Sequence, residues 1–176
     1  MSTEINIKPR FNFKMLFCAN LYLLINKPFA YIISAFYLLF FLSSTFLFFM
    51  GEQDFVFEIF SEVKKQPLFY IMFCLPFLFI LLIYYSTKKQ FNNNYRLKED
   101  FVFIFNSEYF QEKGETFDLK HYWNKLLRVT ERKSYFLIYH NRNRANVIPK
   151  DSFDNDKLLE FKTLLNSIDI KKKFKN

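Results

Sequence analysis

The sequence predicts an α-helical membrane hairpin followed by an α+β domain on the cytoplasmic side. Three observations predict it. Two long runs, residues 29–50 and 68–85, carry no charge. From Thr87 the chain changes to short aromatic and β-branched runs separated by Asn, Ser, Gly and charged pairs. The last such run gives way to Leu158, Phe161, Leu165 and Ile168, a spacing that lines one face of a helix.

The first uncharged run has 22 residues and reaches roughly 33 Å as a helix, enough for a hydrocarbon core. Pro28 suits its first turn, where a missing N–H is harmless, and Gly51 follows it. The second run has 18 residues and reaches about 27 Å. Pro76 interrupts it and predicts a kink, and Tyr84 and Tyr85 suit a membrane interface. The flanking cations set the direction. Lys8, Arg10, Lys14 and Lys27 precede the first run, and Lys88, Lys89, Arg96 and Lys98 follow the second. The connection, residues 51–66, offers only Lys64 and Lys65 against four carboxylates. Cations collect on the cytoplasmic side, so both termini are expected there. Within the connection, Phe55, Val56, Ile59, Phe60 and Val63 recur at helical spacing and predict a short surface helix.

Residues 11–26 are apolar, but the uncharged stretch between Lys14 and Lys27 has only 12 residues, too few to span. No small-residue cleavage site follows it, which excludes a signal peptide. An interfacial helix is expected there, with a re-entrant element as the alternative. The expected divisions are therefore a tail and interfacial helix (1–27), a hairpin (28–86), a polar linker (87–94), a domain (95–170) and a basic, frayed tail (171–176).

Inside the domain, residues 95–98 alternate and read as a first short strand. Residues 101–105 are continuously apolar, the mark of a strand buried on both faces. Turns at Asn106-Ser107 and Lys113-Gly114 bracket a strand at 109–112, and 116–120 alternates again. Strands are expected at 126–132, 134–139 and 145–148, the last ended by Pro149. Asp154 is a good N-cap for the closing helix, with Asp156 in its first turn. A strand meander closed by one C-terminal helix is the arrangement of pleckstrin-homology-like (PH-like) folds.

Over residues 95–168 the chain resembles the YcxB-like family of bacterial membrane proteins. The resemblance rests on the apolar strand 101–105, on Trp123 followed by Leu126-Leu127-Arg128-Val129-Thr130-Glu131, on 135–139, and on Val147-Ile148-Pro149-Lys150 with Phe153. The turn Asn106-Ser107-Glu108 departs from the pattern, where an acidic residue followed by glycine is more usual. The resemblance implies two hydrophobic helices ahead of a membrane-tethered PH-like module, and it implies no catalytic residue.

The chemistry of the residues points the same way. The formal charge is +8, and 19 basic against 12 acidic residues lie after Ser86. A basic domain beside a bilayer is drawn to anionic lipid, and the tether disfavours nucleic acid. Lys88, Lys89, Lys171, Lys172 and Lys173 are the expected membrane-surface contacts, with Arg142, Arg144 and Lys150 as an anion site. His121 and His140 read as isolated strand-end residues, outside any metal-ligand spacing. Cys18 and Cys74 read as small buried apolar residues. Glu99, Asp100 and Asp118 read as solvated turn carboxylates. With two glycines there is no phosphate-binding loop, and no nucleophile motif occurs. The apolar runs carry no ionisable group, which disfavours a channel or transporter. No catalytic, cofactor or metal site is expected. The 22% aromatic content partly reflects AT-rich codons, so aromatic clusters alone carry no functional argument. The function expected is a binding or regulatory module at the inner membrane face, engaging anionic lipid or a protein partner. The alternatives are an immunity-type protein against a membrane-targeting toxin, or an enzyme on lipid or cell-wall precursors.

Overall fold

Asn12 starts the first helix. Its side-chain oxygen accepts from the Met15 N–H at 2.8 Å, and α1 (Phe13–Ile25) follows. The structure is a computed structural model that describes residues 4–49, 58, 61 and 67–174. The helix expected around residues 55–63 therefore lies outside the described residues. The chain divides into two compact units, Met1–Ala19 with Thr87–Asn176, and Asn20–Ser86.

In the second of these units α1 ends at Asn26-Lys27, and Pro28 opens α2 (Pro28–Phe49) after a bend of 77°. The returning helix, α3 (Pro67–Asn93), contains Pro76. Phe29 of α2 meets Phe79 of α3 edge to face, with centroids 6.3 Å apart. Leu24, Phe29, Ile33, Tyr37, Phe79 and Ile83 help line an apolar cavity of about 450 Å³. With only described side chains counted, no single helix is long and apolar enough to cross a membrane. The bent pair Phe13–Ile25 and Pro28–Leu39 meets that test together.

Three sequence expectations change here. Residues 87–93 are not a linker, because α3 continues through Lys88 and Lys89 to Asn93. Lys88, Lys89 and Gln90 are polar because they are exposed, and nothing in Thr87–Asn93 breaks a helix. Tyr95–Lys98 is a helical turn, α4, where a strand was expected. The Asn94 side chain accepts from the Arg96 N–H at 3.1 Å and caps that turn. Two alternating residues are too few to specify a strand. Cys18 and Cys74 are exposed, because they sit on helices whose apolar sides the described protein leaves uncovered.

The other unit holds two four-stranded sheets. The first has the order β1 (Ile5–Ile7), β2 (Val102–Phe105), β3 (Tyr109–Lys113), β4 (Asp118–Tyr122), all antiparallel. The second has the order β7 (Ala145–Pro149), β6 (Tyr135–Tyr139), β5 (Arg128–Glu131), β8 (Lys172–Lys173), with β8 parallel to β5. A helix, α5 (Asn155–Ser167), begins where Asp154 accepts from the Lys157 N–H at 2.9 Å. At the β3–β4 turn a Cβ on Gly114 would stand 2.7 Å from the Phe117 ring, which explains the glycine.

The N-terminal strand was not anticipated. Ile5 pairs opposite Phe105 and Ile7 opposite Phe103, and both isoleucines are 3% exposed. Nearby, Phe11 stacks on Phe101 at 6.1 Å and the Arg10 N–H donates to Ser152 Oγ at 2.8 Å. Residues 4–11 are thus part of the domain, where a separate tail was expected. The tail 171–173 also differs, since the Val129 N–H donates to the Lys171 carbonyl at 2.9 Å and draws the chain into β8.

The core gathers where the sheets meet α5. Phe161 of α5 lies 4.6 Å from Phe105 of the first sheet, 5.2 Å from Phe136 of the second and 5.0 Å from Phe153. Burying such a ring stabilises by roughly 1.5–3 kcal/mol, and the aromatic contacts add to it. In β2 the expected burial holds most firmly on one face. Phe103 and Phe105 are buried, while Val102 and Ile104 are half-buried. In β6 all five residues are buried, so this strand is the one covered on both faces.

Candidate functional site

The feature that sequence reading missed is a polar cluster at the seam between the sheets. Phe110 and Glu112 project from β3 on the side where His121 projects from β4. From the second sheet come His140, just past β6, and Asn146 of β7. The two imidazoles stand edge to face with centroids 4.6 Å apart, and Phe110 lies 4.6 Å from one and 6.3 Å from the other. His121 Nε2 is 3.1 Å from Glu112 Oε1, and His140 Nε2 is 3.2 Å from Asn146 Oδ1. Asn146 Nδ2 donates to Glu112 Oε1 and so joins the two sheets.

Donor and acceptor logic orders the cluster. A carboxylate only accepts, so Asn146 turns its amide nitrogen to Glu112 and its oxygen to His140. Both Nε2 atoms must then carry hydrogen, and on His140 the proton that comes and goes is at Nδ1. Burial holds the His140 pKa below its usual value. The nearby His121 adds to the depression, and the Asn146 hydrogen bond and Glu112 charge oppose it. The signal was faint in sequence. Eighteen residues separate the histidines, and they meet only because β4 and the end of β6 converge across the seam.

A second charged group is structural. Buried Glu131 of β5 receives Lys150 Nζ at 2.6 Å and Lys162 Nζ at 2.8 Å. Burial alone raises its pKa, but the hydrogen bonds and charges of Lys150 and Lys162 more than offset that and hold it low. Lys150 also lies 5.0 Å above the Phe136 ring. Lys150 is thus held in an ion pair inside the fold, where it shares the Glu131 carboxylate with Lys162.

The other expected contacts stand on three separate elements. Lys88 and Lys89 are exposed near the end of α3. Arg142 and Arg144 are exposed in the β6–β7 loop, which Asn141 Oδ1 ties by accepting from the Asn143 and Arg144 N–H groups. Lys171 and Lys173 are exposed, and Lys172 donates to the Asn166 carbonyl at 3.1 Å. The carboxylates Glu99 and Asp118 do not converge. Glu99 accepts from the Thr116 N–H at 2.8 Å and its hydroxyl at 2.9 Å, and Asp118 accepts from Gln111. Trp123 is 2% exposed and anchors the β2–β3 turn, donating from Nε1 to the Asn106 carbonyl at 2.8 Å. Beside it, Ser107, Glu108, Tyr122, Asn124 and Asp169 border an open cleft of about 400 Å³. Among the described residues no group of three or more His, Cys, Asp or Glu side chains could hold a metal ion.

These elements define a small α+β domain with a packed aromatic core and a basic surface. Residues 105–165, from the end of β2 into the last turn of α5, match the family model described as YcxB-like protein, so this segment is a YcxB-like domain. No curated protein and no solved structure matches the chain.

Proposed function

We propose that the chain is a membrane-anchored binding or regulatory module, held at the inner face of a bacterial cytoplasmic membrane with both termini on that side. The observation that carries this reading is the distribution of uncovered apolar side chains. Among the described residues, 17 of the 20 large exposed apolar side chains lie in residues 20–86. Ile32, Leu39 and Phe49 are 69%, 66% and 81% exposed. Each such side chain gains about 1.5–3 kcal/mol on leaving water, so a bilayer is the natural solvent for α2 and α3.

The β1–β2 pairing supports a common side for the N-terminus and the domain, independently of the cation count. Strands on opposite sides of a bilayer cannot share a ladder. The intervening chain must then cross an even number of times, as a hairpin does. The two sheets meeting at α5 fit a PH-like domain, and the exposed cations of α3, the β6–β7 loop and β8 fit anionic headgroups.

The test uses the full chain, because the domain without residues 4–11 would lack β1. Membranes from expressing cells are washed with alkaline carbonate, and retention in the pellet is expected. Release into the supernatant would overturn the anchor. The chain is then placed in nanodiscs of neutral or phosphatidylglycerol-rich lipid and followed by hydrogen exchange. Salt-sensitive protection around residues 88–89, 142–144 and 171–173 in the anionic discs is expected. Equal exchange in both lipids would remove lipid as the ligand and leave a protein partner.

A further inference from the structure

The seam cluster has one carboxylate for two imidazoles. Glu112 accepts from His121, so a charge on His121 has a counter-ion in contact. His140 has an amide for its partner, and its ring faces His121 at 4.6 Å. The groups that approach His140 are Glu112 from β3, His121 from β4 and Asn146 from β7. In its own loop Arg142 and Arg144 are exposed, and both are cations. Among the described residues no neighbour supplies a second negative charge. Phe110 packs beside both rings, 4.6 Å from His121 and 6.3 Å from His140.

We propose that this cluster is a proton-operated latch between the two sheets. With His140 neutral the latch is closed, and His121 rests on Glu112 at 3.1 Å. A second proton sets two imidazolium rings edge to face across the seam with one carboxylate between them, and it parts the β3–β4 hairpin from the β6–β7 hairpin. The second proton comes from solvent to His140 Nδ1, opening releases the Asn146–Glu112 hydrogen bond across the seam, and both Nε2–H groups keep their hydrogens. The added charge at His140 Nδ1 drives the opening. The sign follows from linkage. The closed form holds the His140 pKa below its usual value, chiefly by burial, so lowering the pH favours the open form, which takes up that proton more readily. The latch would make the sheet faces responsive to mild acid, and the proposal stands or falls separately from the membrane reading.

The experiment is hydrogen exchange of the full chain in micelles, with protection factors compared between about pH 7.5 and about pH 5, the range in which histidine titrates. Protection of the β3–β4 and β6–β7 amides is expected to fall on acidification, with a limit of about tenfold per pH unit for one linked proton. Amides of α5 and β5 should stay protected, which separates latch opening from global unfolding. The His140→Gln variant keeps a hydrogen-bonding side chain and cannot charge. It should be closed at both pH values. His121→Gln serves if His140→Gln fails to fold, and it should shift opening to lower pH. Unchanged seam protection in the wild type, or the same acid response in His140→Gln, would overturn the proposal. So would loss of α5 and β5 protection in step with the seam.

Discussion

Replacing Ile5 and Ile7 by alanine tests whether the N-terminal strand belongs to the domain. Each side chain is 3% exposed and packs in the main core cluster. Burial removes both from water almost completely, and Ile→Ala in a core costs about 2–5 kcal/mol. β1 is a three-residue edge strand, which can relax toward the cavity, so about 2–3 kcal/mol each is expected. The two sites share neighbours, so their effects need not add, and the double variant should lose about 4–5 kcal/mol. That is much of the stability of a domain of this size, commonly about 5–15 kcal/mol. Trp123 is the chain's single tryptophan and is buried in this domain, so its fluorescence reports the domain alone during urea unfolding in micelles. Asn6→Ala, at the exposed position between them, is the control and should change stability by less than about 0.5 kcal/mol. A double variant that unfolds with the wild type would refute the reasoning and detach residues 4–11 from the core.

Glu131→Ala should destabilise the domain by about 2–3 kcal/mol, because Lys150 loses its partner while half-buried, whereas Lys162 can turn to water. The wild type should also lose stability as pH falls below about 4.5, where the unfolded chain binds the proton first. That acid dependence should flatten in the variant, as read by urea unfolding at stepped pH. Asp154→Ala removes the α5 cap and should cost about 1 kcal/mol in the same assay. Replacing Lys88, Lys89, Arg142 and Arg144 by glutamine should change stability by less than about 0.5 kcal/mol per site and weaken protection by anionic nanodiscs. Lys150→Gln should instead destabilise, since that side chain faces Glu131.

Local patterns made much of the domain legible. The turn at Asn106-Ser107, the hairpin at Lys113-Gly114, the Asp154 cap and the stripe through Phe161 and Leu165 each act within a few residues. Their chemistry can be read without knowing the fold. β1 was not legible because Ile5-Asn6-Ile7 has only one alternation, and its partner lies about a hundred residues away. β8 was hidden for a related reason. Lys171, Lys172 and Lys173 look solvated, and only the backbone of that stretch joins β5. Lys150 looked like surface charge because its counter-ion, Glu131, is 19 residues distant. The histidine cluster was lost to the same cause, since no spacing rule covers groups that meet across two sheets. Cys18 and Cys74 show the opposite failure. Apolar surroundings in sequence were read as burial by protein, and on helices whose apolar sides the described protein leaves uncovered that inference does not hold.

The most direct test of the central claim is the side of the membrane on which each end lies. In a Cys18→Ser, Cys74→Ser background, a single cysteine is placed by Lys8→Cys or by Asp169→Cys, both at exposed positions of the β-sheet unit. Right-side-out sealed vesicles are then treated with a membrane-impermeant maleimide. Neither position should label until the vesicles are opened, after which both should. Labelling of one position and protection of the other would contradict the account, because β1 and β2 could not then share a sheet.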